Sequence, residues 1–341
     1  MKKALLTLVS MVIIMIMAGS AFALSAEEKA AEDAAWKKEP AYGQTLKLGY
    51  SGGLCNGPIG IAYLKGYYEA EGLAVEIVRV TGGQETDALG TGKIVAATNH
   101  IAAMLVPTVN GVRIKFTAGQ HSGCKSIYVP ANSPIKSTSD MVGTTMAIPD
   151  GIGGPDHNIG LRFLAKDKVD ITQVKVKVVE AGAAVQAMQN GEIQSAVLSD
   201  QFARGFLDRG ELRIVRSLTF DDDFKQEACC IHAVNLDFYT ANPMTVKKLT
   251  RAHEMASEWM AANPEEAVRT LQANSWAAGD YDLVLSIFKT YNFTISDDQT
   301  EKTLRDIIAD YKEFGLISQA KDTDAIMQQI WDPVVADEFR K

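Results

Sequence analysis

Cysteine is scarce in this chain: the four present, Cys55, Cys124, Cys229 and Cys230, are too few for a disulfide scaffold. Basic residues are also outnumbered, 34 against 42 acidic, and the resulting net charge of −8 argues against a nucleic-acid partner. Beyond the first 23 residues no apolar run is long enough to span a bilayer. Common catalytic signatures are missing as well: there is no nucleophile elbow, P-loop or H-E-x-x-H. The stretch "GGQETDALGTG" has glycines but no G-x-G-x-x-G, so a dinucleotide cofactor is not expected.

What is present begins with an export signal. The chain opens on "MKK", a short positive segment, followed by the uncharged run "ALLTLVSMVIIMIMAGSAFA". Its end, Ala21-Phe22-Ala23, fits the A-x-A cleavage pattern, and the highly charged "SAEEKAAEDAAWKKEP" follows at once. Residues 1–23 are therefore expected to be a cleaved signal peptide rather than an anchor, and no cysteine lies near the site to carry a lipid. The expected location is the periplasm.

Removing 23 of 341 residues leaves 318, a length that fits two domains better than one. A hydrophobic fraction of 47% makes them globular. An internal repeat sets their architecture. "ALGTGKIVAAT" (88–98) matches "AMQNGEIQSAV" (187–197), each reading as a helix end, a glycine stop and a buried strand. Upstream, "KLGYSGGLCNGPIGIAYL" and "TMAIPDGIGGPDHNIGLRFL" each give a strand, a glycine-rich loop and a helix. The strands "AVEIVRV" and "VKVKVVEA" complete two βαβαβ units at an offset of about 100 residues. Mostly parallel sheets with helices on both faces are predicted, with ligand loops at the C-terminal strand ends. After "LRIVRSLTF", the strand "CCIHAVNL" is expected to return to the first lobe. A helical tail follows, with Pro243 and Pro264 read as first-turn prolines after asparagine N-caps. Residues 25–40 read as a solvated amphipathic lead-in.

The run "GYYEAEGLAVEIV", with "ALGTGKIVAAT", "SPIKSTSDMVGTTMAIPDG" and "AMQNGEIQSAV" following in order, resembles periplasmic solute-binding proteins for nitrate, sulfonate, taurine and thiamine-pyrimidine precursors. The likeness extends over roughly residues 45–275. It implies an α/β, type II periplasmic binding fold, in which two βαβ lobes flank a ligand cleft and carry a helical C-terminal tail. The divisions are 24–126 for the first part of lobe 1, 127–228 for lobe 2, and 229–341 for the return to lobe 1 and the C-terminal helices. A monomer that hands a small-molecule solute to an ABC transporter permease in the inner membrane is implied, with no catalysis.

By position in that family, the cleft is lined by Tyr50, Ser51, Gly53, Cys55 and Asn56 after the first strand and by Asn99 and His100 at a second strand end. Lobe 2 contributes Asp150, Gly153, Gly154, Asp156, His157 and Asp200. A helix N-terminus near Gly153 and Gly154 would suit an anion. However, several aspartates lie there and no arginine occurs in these loops, which favours a neutral or cationic organic solute, such as a nitrogen heterocycle, over a sulfonate-like compound. Asp156 can alternatively cap its own helix. Tyr50, Phe202 and Tyr128 are the aromatic candidates for stacking. Asp200 has no basic neighbour in sequence, so the solute is expected to supply its partner.

In this fold Cys124 lies on the outgoing hinge crossing and Cys229-Cys230 on the returning one. A disulfide from Cys124 to Cys229 or Cys230 is expected, because the two crossings run side by side and an exported protein meets oxidant before scarce metal; side-chain alternation lets only one of the pair meet Cys124 easily. Free thiols and a soft metal site remain open as alternatives, the latter built from Cys55, Cys124, Cys229 and Cys230 with His232 or His121. Two further functions stay in view: metal or metal-complex binding, and an enzyme akin to thiamine-pyrimidine synthases, to whose cysteine-rich run the Cys229-Cys230 pair is similar.

Overall fold

The computed structural model describes residues 24–80 and 83–335, so the expected signal peptide lies outside the described residues. Among those described, no helix is long and apolar enough to cross a membrane.

Two five-stranded sheets form the frame. The first contains β1 (Thr45–Tyr50), β2 (Ala74–Arg79), β3 (Ala96–His100) and β4 (Ile114–Ser122). The second contains β5 (Lys125–Pro130), β6 (Thr145–Ala147), β7 (Lys175–Lys177), β8 (Ser195–Ser199) and β9 (Leu212–Ser217). The last strand, β10 (Ala228–Asn235), returns to the first sheet, as its sequence predicts. The orders are β2-β1-β3-β10-β4 and β7-β6-β8-β5-β9. In each sheet three parallel strands come from the repeat, and the strand inserted next to them is antiparallel and arrives from a crossing. This is the type II arrangement.

The paired glycines of the repeat have a physical cause. Gly92 and Gly191 both adopt left-handed φ, +72° and +76°, where a Cβ would be strained. Each ends a helix, Glu85–Gly90 or Ala181–Gln189, and turns the chain into β3 or β8. Strands β4 and β10 are buried along their whole length, because helices cover both faces of the sheet. Their polar residues therefore need internal partners. His232 finds one in Thr117 (Nδ1 to Oγ1, 2.8 Å) and packs against the His253 ring at 4.5 Å.

Helices Pro243–Ala262 and Pro264–Ala273 start on prolines as expected, but Asn242 and Asn263 make no side-chain cap to them. Each asparagine instead donates backward, to the Phe238 and Trp259 carbonyls. The first of these helices is capped from elsewhere: the Glu39 carboxylate accepts from the Met244 and Thr245 amides. The lead-in is likewise docked on one face rather than solvated. It forms the helix Ala26–Trp36, buries Trp36, and places Glu32 against Arg251. Arg251 is 2% exposed and also receives Glu71 through two hydrogen bonds of 2.9 and 2.7 Å.

Truncating that guanidinium would leave Glu32 with Lys247 and Glu71 with the more distant Lys248, and the charge-assisted hydrogen bonds to Arg251 would be lost. Arg251→Met is expected to cost about 1.5–3 kcal/mol of unfolding free energy, read as a lower midpoint in urea denaturation.

Candidate functional site

The loops at the C-terminal ends of β1, β3, β6 and β8 meet where the two lobes face each other. Asn158 of lobe 2 donates to the Ala102 carbonyl of lobe 1 at 2.8 Å. Arg162 reaches Glu227 and Asp310, at 2.7 Å each, from the same helix, Pro155–Lys166.

The β1 loop is held from below. Gly52 and Gly53 both have φ near +95°, and the Gly53 amide donates to the Trp276 carbonyl at 2.5 Å. Tyr50 is 3% exposed, packs edge-on against Trp276, and donates its hydroxyl to the Gly53 carbonyl. It braces the loop and presents no open face for stacking. Tyr128, fully buried, is also no platform. Phe202 is 37% exposed. Asn56 donates to Ser51 Oγ at 3.4 Å, while its own Oδ1 is buried with no partner. Beside it, Asn99 donates to Glu85 at 3.2 Å and accepts from the His100 amide at 2.7 Å. Glu85 is 2% exposed, and burial raises its pKa although Ser51 and the Gly83 amide donate to it.

Across from these, Lys125 sits with two carboxylates. Its ammonium lies 3.0 Å from Asp150 and 2.5 Å from Asp156, and Asp156 also accepts from the Asp150 amide at 2.9 Å. Asp156 lies in the first turn of helix Pro155–Lys166, so its own charge occupies the positive end that was expected to receive an anion. Gly154 is required there, because a Cβ would come within 2.6 Å of the Asp150 carbonyl. Gly153 donates to His157 Nδ1 at 3.1 Å, and burial lowers the His157 pKa. Burial pushes the Asp156 carboxyl up to about 6 against the pull of Lys125, with Asp150 adding repulsion.

The structure corrects the reading of Asp200. Its carboxylate accepts from Ser126 (2.7 Å), Tyr128 (2.6 Å) and Thr219, so three hydroxyls of lobe 2 replace the partner expected from a solute. The residue is wholly buried. His232 is displaced as well, since its contacts with Thr117 and His253 lie in the core of lobe 1.

The expected disulfide from Cys124 to Cys229 or Cys230 is not formed: all four cysteines are free thiols, and they converge on one place. Cys124 Sγ is 3.2 Å from Cys55 Sγ and 3.2 Å from His100 Nε2. Cys230 Sγ lies 3.7 Å from His100 Nδ1. Donor atoms of His100, Cys124 and Cys229 lie within 4.8 Å of one another. Strict alternation would have sent Cys229 and Cys230 to opposite faces. Register shifts on either side of Cys230 in the β10–β4 pairing break that alternation, and both thiols reach Cys124. Cys124 itself has φ +136° and is fixed by Thr219 Oγ1 on its amide and the Asp200 amide on its carbonyl. Hydrogen bonds from Cys124 and Cys230 pull the Cys229 thiol down to about 6, whereas desolvation pushes Cys230 up. Burial, with Lys125 nearby, lowers His100 to about 4, so its ring is neutral at pH 7.

Lys125, Glu85 and Trp276 are the site residues that sequence reasoning missed. Lys125 stands directly after Cys124 and so was legible as a crevice cation once Cys124 was placed at the crossing. Nothing local marks Glu85 or Trp276.

A family model described as NMT1/THI5 like matches residues 57–267. The chain belongs to the NMT1/THI5-like family. Among curated proteins, none matches the sequence. Solved structures of the same fold include the alkanesulfonate-binding protein SsuA from Xanthomonas axonopodis pv. citri bound to MOPS, 17% identical with a TM-score of 0.68 over 86% of this chain and 99% of that one. The periplasmic nitrate-binding protein NrtA from Synechocystis PCC 6803 is 16% identical, with a TM-score of 0.70 over 87% of each chain. The ligand-binding component of an ABC-type import system from Staphylococcus aureus with zinc bound is 14% identical, with a TM-score of 0.67 over 87% of this chain and 98% of that one.

Two substitutions test the electrostatics of this family member's lobe 2. A carboxyl with a folded pKa of about 6, above its ordinary 3.8, keeps a proton that the unfolded chain has released, so its contribution to stability falls as pH rises through that window. Urea denaturation near pH 4, 5 and 6 should show the wild type losing stability relative to Asp156→Asn as pH increases. Asp200→Asn, which removes the charged acceptor of three hydroxyls, is expected to cost about 1–3 kcal/mol at pH 7 by the same measurement.

Proposed function

We propose that the protein is a periplasmic, monomeric solute-binding protein that encloses a small neutral or cationic organic solute between its lobes and delivers it to an ABC permease. The observation that carries this reading is the ion-pair balance at the crevice: Lys125 is shared between Asp150 and Asp156, Glu85 is buried nearby among hydrogen-bond donors, and of these carboxylates Asp150 is the one open to a solute. Asp150 keeps a side-chain exposure of 44% and has room to accept from a solute N–H. The polar loop around Ser51 and Asn56 supplies further hydrogen-bonding groups, with Asn56 Oδ1 unspent. Family membership, the fold shared with sulfonate- and nitrate-binding proteins, and the export signal read from residues 1–23 support capture outside the cytoplasm. The exposed Asp150 sets this chain apart from a receptor for sulfonate or nitrate, since an anion would meet a carboxylate where it needs donors.

Among the described residues the chain passes between the lobes at two crossings, around residues 122–125 and 217–228, so a solute is expected to be enclosed by hinge closure. Micromolar affinity, about −8 kcal/mol, is within reach of a few buried polar contacts. Calorimetric screening of protonated and neutral nitrogen heterocycles against taurine, alkanesulfonates and nitrate tests the selectivity. Binders should come from the first group and contract the scattering profile, and Asp150→Asn should weaken a cationic binder by about ten- to a hundredfold. Tight binding of the anions, or scattering unchanged at saturation, would overturn the reading.

A further inference from the structure

We propose that the thiols at the floor of the crevice, with His100, form a binding site for one thiophilic d10 metal ion, either Zn(II) or Cu(I). The donors are His100 Nε2, Cys124 Sγ and Cys229 Sγ, and Cys55 Sγ stands 3.2 Å from Cys124 to close the set. Bond lengths of 2.0–2.3 Å at tetrahedral angles place neighbouring donor atoms about 3.5–3.8 Å apart. The 3.2 Å between Cys124 and His100, and the 4.8 Å within which all three donors lie, bracket that spacing, so the trio closes on an ion with shifts of about an ångström, while Cys55, which touches Cys124, must move further to complete the set.

Several independent features point to the same atoms. The chain has four cysteines, and segments far apart in sequence bring all of them to one place. Two do so by departing from regular structure: Cys124 takes a φ that L-residues rarely adopt, and the β10 pairing slips around Cys230. Three of the thiols are buried, while Cys55 and His100 retain partial exposure and give an ion a way in. The remaining ring nitrogen of His100 faces Cys230, an outer contact of the type that fixes a ligating imidazole. Neutral imidazole and thiolates are soft donors suited to zinc and monovalent copper rather than to magnesium or calcium. Binding deprotonates the ligating thiols and so releases protons to solvent.

Cys55 and His100 line the same crevice as the proposed solute site, but the test needs no solute, so its failure is separate from failure of the solute reading. The probes are Co(II), as a coloured stand-in for zinc, Zn(II) in competition with it, and Cu(I) delivered from a bicinchoninate complex to anaerobic, fully reduced protein. One equivalent should bind, with a thiolate-to-cobalt charge-transfer band and release of protons. Preference between displacement of cobalt by zinc and transfer of copper from bicinchoninate identifies the ion. Cys124→Ser and His100→Ala should each weaken binding by at least about tenfold. Because Cys124 is buried, circular dichroism must show that its variant is folded; His100→Ala, at a partly exposed position, carries the test if it is not. Absence of a stoichiometric site in reduced, folded wild-type protein would overturn the proposal. So would binding that a folded His100→Ala variant leaves unchanged.

Discussion

Strand β10 hydrogen-bonds on both sides within the lobe 1 sheet, between β3 and β4, although the chain has just left lobe 2. Much of the molecule depends on that insertion. It completes a sheet whose β4 and β10 are buried on both faces, which takes their polar side chains out of water; His232 meets Thr117 there, while both amide atoms of Gln120 have no hydrogen-bond partner. It also makes the lobes inseparable in sequence, since the strand that completes the first sheet comes after all the strands of the second in the chain. The return crossing then lies beside the outgoing one, with Cys229 and Cys230 next to Cys124 and His100.

The second constraint is the handling of buried charge. Asp200 is met by three hydroxyls, Arg162 by Glu227 and Asp310, and Arg251 by Glu32 and Glu71. These groups spend their hydrogen bonds within the protein, as removal from water demands. The crevice differs in balance. Lys125 is shared between Asp150 and Asp156, Glu85 adds a further carboxylate, and the helix end nearby is already occupied by Asp156. Of these carboxylates, Asp150 alone keeps substantial exposure, and Asp156 and Glu85 are buried with their partners inside the protein.

The thiol cluster shows how a fold distributes chemistry that no motif records. Cys55 comes from the β1 loop, Cys124 from the first crossing and Cys229-Cys230 from the second. Their approach is set by loop geometry and by a slipped register, not by spacing along the chain. The same slip allows two consecutive residues to serve one centre, which a regular strand would forbid.

The amino-acid sequence by itself determined the two βαβαβ units, because apolar periodicity and glycine stops are local signals; Gly92 and Gly191 end equivalent helices as their matched sequences imply. It also determined the family, through "GYYEAEGLAVEIV" and the motifs after it, and the return of "CCIHAVNL" to the first sheet. Partnerships were a different matter. That Asp200 meets Ser126, Tyr128 and Thr219, that His232 turns into the core while His100 joins the thiols, and that Asn242 serves the preceding helix were decided only in tertiary structure. The physical reason is that hydrogen bonds, ion pairs and metal-ligand distances act over a few ångströms between segments that can lie 221 residues apart in sequence, so their outcome rests on packing and register that no local pattern encodes.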